Sequence, residues 1–113
     1  MKMQVMFKNL KDDVLREKIR TYAEKRLSNL TRYSPHIING ELTFEEGRGQ
    51  YETILVIRVK GANLTAKSRS KDPLEGIDRV KDKIKSQLKK YEEKLKLEDR
   101  RKSNEKTFSP SSI

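Results

Sequence analysis

Residues 72–97, DPLEGIDRVKDKIKSQLKKYEEKLKL, carry two different surfaces when they are read as one helix. Asp72 and Pro73 are an N-cap and a first-turn proline, which are typical of a helix start. Apolar residues then recur every three or four positions and predict a buried stripe, beside which runs a second, basic row. The stripe is Ile77, Val80, Ile84, Leu88, Tyr91 and Leu95, and the row is Arg79, Lys83, Ser86, Lys90 and Lys94. We expect no acid within that row, so the helix presents a cationic face of the kind that attracts phosphate.

Residues 11–33 repeat this separation of surfaces. Asp12 or Asp13 can cap the predicted helix, and the Ser-Pro step at 34–35 ends it. Lys18, Lys25 and Arg32 are seven residues apart and therefore lie on one line of the helix, without a carboxylate. The apolar stripe is Leu15, Ile19, Tyr22, Ala23, Leu27 and Leu30. If both helices pack on one sheet, their basic lines are expected to form a single positive surface that spans the two helices.

Apolar and polar residues alternate, as is typical of β-strands, in four segments: residues 3–7, 37–46, 51–60 and 64–70. The buried face of the second predicted strand, residues 37–46, is expected to carry Ile38, Leu42 and Phe44. The order β-α-β-β-β-α predicts an α+β fold, a four-stranded sheet with two helices packed on one face, similar to a double-stranded RNA-binding domain. A ferredoxin-like fold would need a further strand after residue 97. We therefore predict a domain at residues 1–97 and a disordered, basic and polar tail at 98–113.

The chain has 113 residues, enough for one domain, and 27 lysines and arginines against 17 acids give a net charge of +10. Such an excess of positive charge favours nucleic acid as a partner. A membrane is not expected as a partner, because no segment approaches the roughly 20 apolar residues of a spanning helix. The N-terminus lacks the apolar core of a signal peptide, which predicts a cytoplasmic protein.

Few residues suit catalysis. His36 is the only histidine, cysteine is absent, and the glycine turn at 47–49 lacks the lysine and hydroxyl residue of a phosphate-binding loop. We therefore expect no enzyme, no metal site and no small-molecule substrate. Only Tyr33 and Tyr51 are expected to be exposed rings, too few to stack single-stranded bases, so structured RNA is the expected ligand.

Two stretches carry a family resemblance. Residues 20–39, RTYAEKRLSNLTRYSPHIIN, and residues 72–96 resemble the two helices of the ribosome hibernation promoting factors, also called the ribosome-associated inhibitor or protein Y family, in its short form. The resemblance implies a β-α-β-β-β-α fold and a cytoplasmic stress or stationary-phase factor without a cofactor. It also implies binding to the small ribosomal subunit near the decoding centre, with inhibition of translation.

The resemblance further implies which side chains contact rRNA. Arg26, Arg32, Lys83 and Lys90 match basic positions of the family, while Asn29 and Ser86 stand where the family is usually basic. With basic neighbours, the expected rRNA-binding residues are Lys25, Arg26, Arg32, Arg79, Lys83, Lys89, Lys90 and Lys94. The sequence leaves open whether the protein pairs ribosomes with other hibernation factors or blocks single ones. A general double-stranded RNA-binding or RNA-chaperone module, and a charged protein-interaction domain without RNA, are the alternatives.

Overall fold

A computed structural model describes the backbone of residues 2–108 and the side chains of residues 2–97. Four strands and two α-helices follow one another in the predicted order β-α-β-β-β-α. Their bounds are β1 Lys2–Lys8, α1 Asp13–Leu27, β2 Ile37–Gly47, β3 Gln50–Val59, β4 Ala62–Ser70 and α2 Pro73–Phe108. The predicted α+β fold class is confirmed.

The four strands form one mixed sheet in the order β1-β2-β3-β4. β1 pairs with β2 in parallel, so that Val5 lies opposite Leu42 and Phe7 opposite Phe44. The pairs β2–β3 and β3–β4 are antiparallel, as expected of strands joined by short turns. β1 and β4 are therefore the two edge strands, and they run in the same direction.

The core lies between one face of this sheet and the two helices. Alternate residues of the central strands are buried, and they meet the predicted apolar stripes of α1 and α2. The prediction that Ile38 is buried in the core is wrong, because this residue is 61% exposed. The register between β2 and β3 shifts between Ile37 and Asn39, and this irregularity displaces Ile38 from the face that holds Leu42 and Phe44.

The first helix is shorter than the sequence predicted. Its N-cap is Asp12, whose Oδ1 accepts hydrogen bonds from the backbone N–H groups of Val14 and Leu15 at 3.0 and 3.2 Å. The α-helix ends at Leu27, and residues Ser28–Arg32 continue as a 3-10 helix. Arg32 and Asn29 therefore lie outside the α-helical period on which the line through Lys18 and Lys25 was drawn.

The second helix is longer than predicted. We expected it to end at residue 97 before a disordered tail, but its backbone is helical to Phe108. No glycine or proline occurs between Gly76 and Pro110, and the intervening lysines, glutamates and arginines are good helix formers. The rest of the predicted tail, residues 109–113, lies outside the described residues. Within the part that is described, neither helix is long and apolar enough to cross a bilayer.

The start of α2 lies unusually close to the sheet. A Cβ atom on Gly76 would stand 2.5 Å from Thr53 Oγ1. The helix can therefore approach β3 this closely only because glycine has no side chain at this position. The Ser68 hydroxyl donates to the carbonyl of Gly76 at 3.1 Å, and the Ser70 hydroxyl donates to that of Asp72 at 2.6 Å. These contacts fix the first turn of α2 against β3 and β4, and with it the direction of the whole helix.

Candidate nucleic-acid interface

One side of α2 faces α1 and the segment that follows it. The Tyr22 hydroxyl of α1 donates to the Asp78 carboxylate at 2.9 and 3.1 Å, and seven residues further the Lys85 ammonium lies 5.0 Å from the Tyr33 ring centroid. Burial, together with the neighbouring Asp78 carboxylate, raises the pKa of Tyr22 above its usual value. The hydroxyl therefore stays protonated and keeps donating to Asp78.

Seven residues beyond Lys85, Glu92 anchors the loop between the 3-10 helix and β2. It accepts a hydrogen bond from the Ser34 hydroxyl, and its Oε1 lies 2.7 Å from His36 Nδ1. Burial alone would raise the pKa of Glu92, but the hydrogen bonds from Ser34 and His36 and the charge of His36 outweigh it and lower that pKa. Two acids on this side of α2, Asp78 and Glu92, are thus occupied by hydrogen-bond donors of the protein itself.

Cations line the boundary between the two helices. The Arg26 guanidinium carbon lies 5.1 Å from the Tyr22 ring centroid, a distance typical of cation–π contacts. Lys89 follows Lys85 by one helical turn and is exposed, as are Lys25 and Arg32. We call this set the inter-helix surface; its members are Lys18, Lys25, Arg26, Arg32, Lys85 and Lys89. Four of the eight predicted rRNA-binding residues belong to it.

The opposite side of α2 runs along the free edge of β4. Arg79 NH1 donates to the carbonyl of Arg69 at 3.1 Å, and Lys83 Nζ donates to that of Lys67 at 2.5 Å. Gln87 continues the row, donating to the carbonyl of Thr65 at 2.8 Å. We call Arg79, Lys83 and Gln87 the edge-capping row. These side chains occupy acceptors that an edge strand would otherwise present to solvent.

The expectation of one positive surface spanning both helices is therefore wrong. The predicted row through Arg79 and Lys83 flanks the buried stripe on the side away from α1, where it meets β4 instead. The row is also not free of acids, because Arg79 NH2 pairs with Glu75 one turn earlier at 2.6 Å. The structure brings four predicted residues to the inter-helix surface and the other four to a separate one.

Residues of β4 and of the turn before it, which the sequence patterns did not single out, complete this separate surface. Lys60, in the turn before β4, lines a shallow groove together with Lys90 and Lys94. Lys67 and Arg69 of β4 lie beside Lys83. We call this set the β4-side surface; its members are Lys60, Lys67, Arg69, Arg79, Lys83, Lys90 and Lys94. The exposed basic positions of β4 were visible in its alternation, but no sequence pattern links them to α2.

The family model described as Sigma 54 modulation protein / S30EA ribosomal protein matches residues 4–96. The chain belongs to this family. The membership agrees with the family resemblance seen in the sequence, which is confirmed. The S30EA family is a family of ribosome-associated factors and is not a known enzyme family.

Solved structures show the same fold as this S30EA family member. The N-terminal domain of Thermus thermophilus protein Y has a TM-score of 0.70 at 22% identity, covering 80% of this chain and 99% of that one. A ribosomal subunit interface protein from Coxiella burnetii has a TM-score of 0.66 at 23% identity, covering 81% and 98% respectively. No curated protein sequence matches the chain significantly.

Proposed function

We propose that this S30EA family member binds the small ribosomal subunit through rRNA, near the decoding centre, and thereby inhibits translation during stress. The family match over residues 4–96 carries the proposal. Inhibition follows from occupancy, since a protein held where mRNA and tRNA bind excludes both. The small-subunit site is the one that the family resemblance implies.

The two basic surfaces support an interaction with phosphate. They lie on opposite flanks of α2, and Ser86 lies between the flanks on the exposed side of the helix. A helix with cations on both flanks can contact two phosphate strands at once, as it would in a groove of folded RNA. Lysine and arginine in this setting position the protein on the backbone and do not read base sequence.

Matched charge reversals test which surface is used. The first variant reverses Lys25, Arg32 and Lys89 to glutamate, and the second reverses Lys60, Lys90 and Lys94. Lys83 is left intact because its hydrogen bond to β4 would mix folding with binding. The control variant reverses three exposed lysines at or near the β1 edge, away from both surfaces, Lys2, Lys8 and Lys11, and so changes the net charge by the same amount.

Chemical footprinting of rRNA on purified small subunits, combined with co-sedimentation, is the measurement. We expect the first two variants to lose co-sedimentation and the control to retain it, with protection near the decoding centre. An equal loss in the control would show that net charge alone drives binding. Protection confined to another region of the subunit, or retained binding by both surface variants, would refute the proposal.

Salt dependence and competition separate this function from general RNA binding. If about five to eight phosphates are neutralised, log K against log salt should have a slope of about −4 to −7. Free duplex RNA should compete poorly with small subunits. Equal competition would favour a general double-stranded RNA-binding module, and binding that survives nuclease and high salt would favour a protein partner. Inhibition itself is measured by titrating the protein into an in vitro translation reaction, with the same variants.

A further inference from the structure

The two edge strands of the sheet differ in whether side chains of the protein bond to their outer backbone groups. At β4 the edge-capping row of α2 occupies three backbone carbonyls. At the other edge, β1 is hydrogen-bonded to β2 alone. Among the described residues, no side chain donates to or accepts from the backbone of β1. β1 is therefore an open edge of seven residues, long enough to pair with another extended segment.

The outward-facing groups of β1 can be assigned by comparison with β4. The carbonyls at the β4 edge belong to residues such as Thr65 and Lys67, whose side chains are exposed on the helix-free face. β1 runs in the same direction at the opposite edge, so its outward groups belong to the residues whose side chains face the helices. These are Met3, Val5 and Phe7, each of which presents one N–H and one C=O group.

Positive charge borders this edge on both faces of the sheet. On the helix-free face Lys2 and Lys8 are exposed at the two ends of β1. On the helix side, the guanidinium carbons of Arg16 and Arg20 each lie 5.6 Å from the Phe7 ring centroid. Two acids lie near this edge: Glu17 bonds to Arg20 at 3.2 Å, and Glu45 of β2 lies opposite Lys8 in the strand register.

We infer that the β1 edge binds an extended, acidic segment of another protein as a fifth strand of the sheet. Main-chain hydrogen bonds would provide affinity and the flanking cations would select for acidic residues. A second copy of this chain fits poorly. An antiparallel pair of β1 strands centred on Val5 would place Lys2 opposite Lys8 twice, and like charges directly opposite each other are destabilising. This inference concerns an edge remote from both basic surfaces and does not depend on ribosome binding.

Two capped synthetic peptides as long as β1 serve as probes, one alternating valine with glutamate and the other alternating valine with lysine. They are titrated into the 15N-labelled full chain, and amide exchange is followed by NMR. We expect the acidic peptide at saturation to slow exchange of the Met3, Val5 and Phe7 amides at least tenfold. Amides of β4 should not change, and the basic peptide should have no effect.

A charge-reversed protein with Lys2→Glu and Lys8→Glu should bind the acidic peptide about tenfold more weakly, because two attractive cross-strand pairs become repulsive. Its matched control, Lys60→Glu with Lys71→Glu, has the same net charge and should bind like the wild type. The inference is overturned if both peptides bind equally, if neither binds, or if protection falls elsewhere. It is also overturned if the chain alone forms a dimer that protects the same three amides.

Discussion

Replacing Gly76 with alanine should destabilise the protein, although alanine is the better helix former. The added Cβ would stand 2.5 Å from Thr53 Oγ1 and 3.2 Å from Ser70 Oγ, well inside van der Waals contact. Thr53 is fully buried and β-branched, so its χ1 cannot rotate freely to release the clash. Either the side chain leaves its rotamer or α2 moves away from β3.

The magnitude follows from two opposing effects. Overpacking of this kind costs about 1–3 kcal/mol, and the cost should lie in the upper part of that range because the clashing groups are stiff. Alanine recovers up to about 1 kcal/mol through its helix propensity. The expected net loss is therefore about 1–2 kcal/mol, which lowers the melting temperature by about 5–15 °C for a domain of this size.

Urea and thermal unfolding of four variants measure this effect as a double-mutant cycle. Thr53→Ala removes Oγ1 and leaves a Cβ that would be 3.4 Å from the new methyl group, an ordinary contact. In that background Gly76→Ala should be clearly less destabilising than in the wild type, because only the 3.2 Å contact with Ser70 Oγ remains tight. Gly47→Ala is the matched control, because nothing lies within 4 Å of its added Cβ. A Gly76→Ala protein as stable as the wild type, or a loss that Thr53→Ala does not relieve, would refute the reasoning.

Three further changes test contacts described above. Glu92→Gln should lower the free energy of unfolding at neutral pH by roughly 1–2 kcal/mol. Since the folded-state pKa of Glu92 is lowered, its stabilisation is present above the ordinary value of 4.5 and is lost as the pH falls through the lowered pKa. The difference between variant and wild type should accordingly vanish in acid, and a pH-independent difference would contradict this. Lys83→Ala with Gln87→Ala should uncover the β4 edge and cause concentration-dependent association in sedimentation velocity; a double variant that stays monomeric at every concentration would argue against capping. Tyr22→Phe should cost about 1 kcal/mol in urea unfolding because Asp78 loses a donor, and no change would mean that water replaces the hydroxyl.

Much of the fold could be predicted because its determinants are local. The stripes through Ile19 and Ile84, the N-cap at Asp12 and the alternation around Phe44 each depend on residues close in sequence. Ile38 was misplaced because a register irregularity has no signature in the alternation itself. The end of α2 was misplaced because residues after 97 lack an apolar stripe, whereas backbone helicity there needs only good helix formers.

The arrangement of the basic residues was predicted less well than the fold, and the reason is geometric. A helical wheel shows that Arg79 and Lys83 flank the buried stripe, but it does not show which flank meets the neighbouring helix. That depends on the order in which the strands are arranged across the sheet. In this fold the flank through Asp78 and Lys85 faces α1 and the other faces β4. The separation of the basic residues into two surfaces could therefore emerge only from the tertiary structure.

The length of α2 has a consequence for how the molecule melts. A helix of 36 residues rises about 54 Å, whereas the ten residues of β3 span about 33 Å, so the sheet can support only part of α2. Helicity beyond that support depends on intrinsic propensity, and short helices without tertiary contacts unravel gradually with temperature. The far-UV circular dichroism signal should therefore decline steadily well below the cooperative transition, and removal of residues 98–113 should flatten that slope while leaving the midpoint almost unchanged.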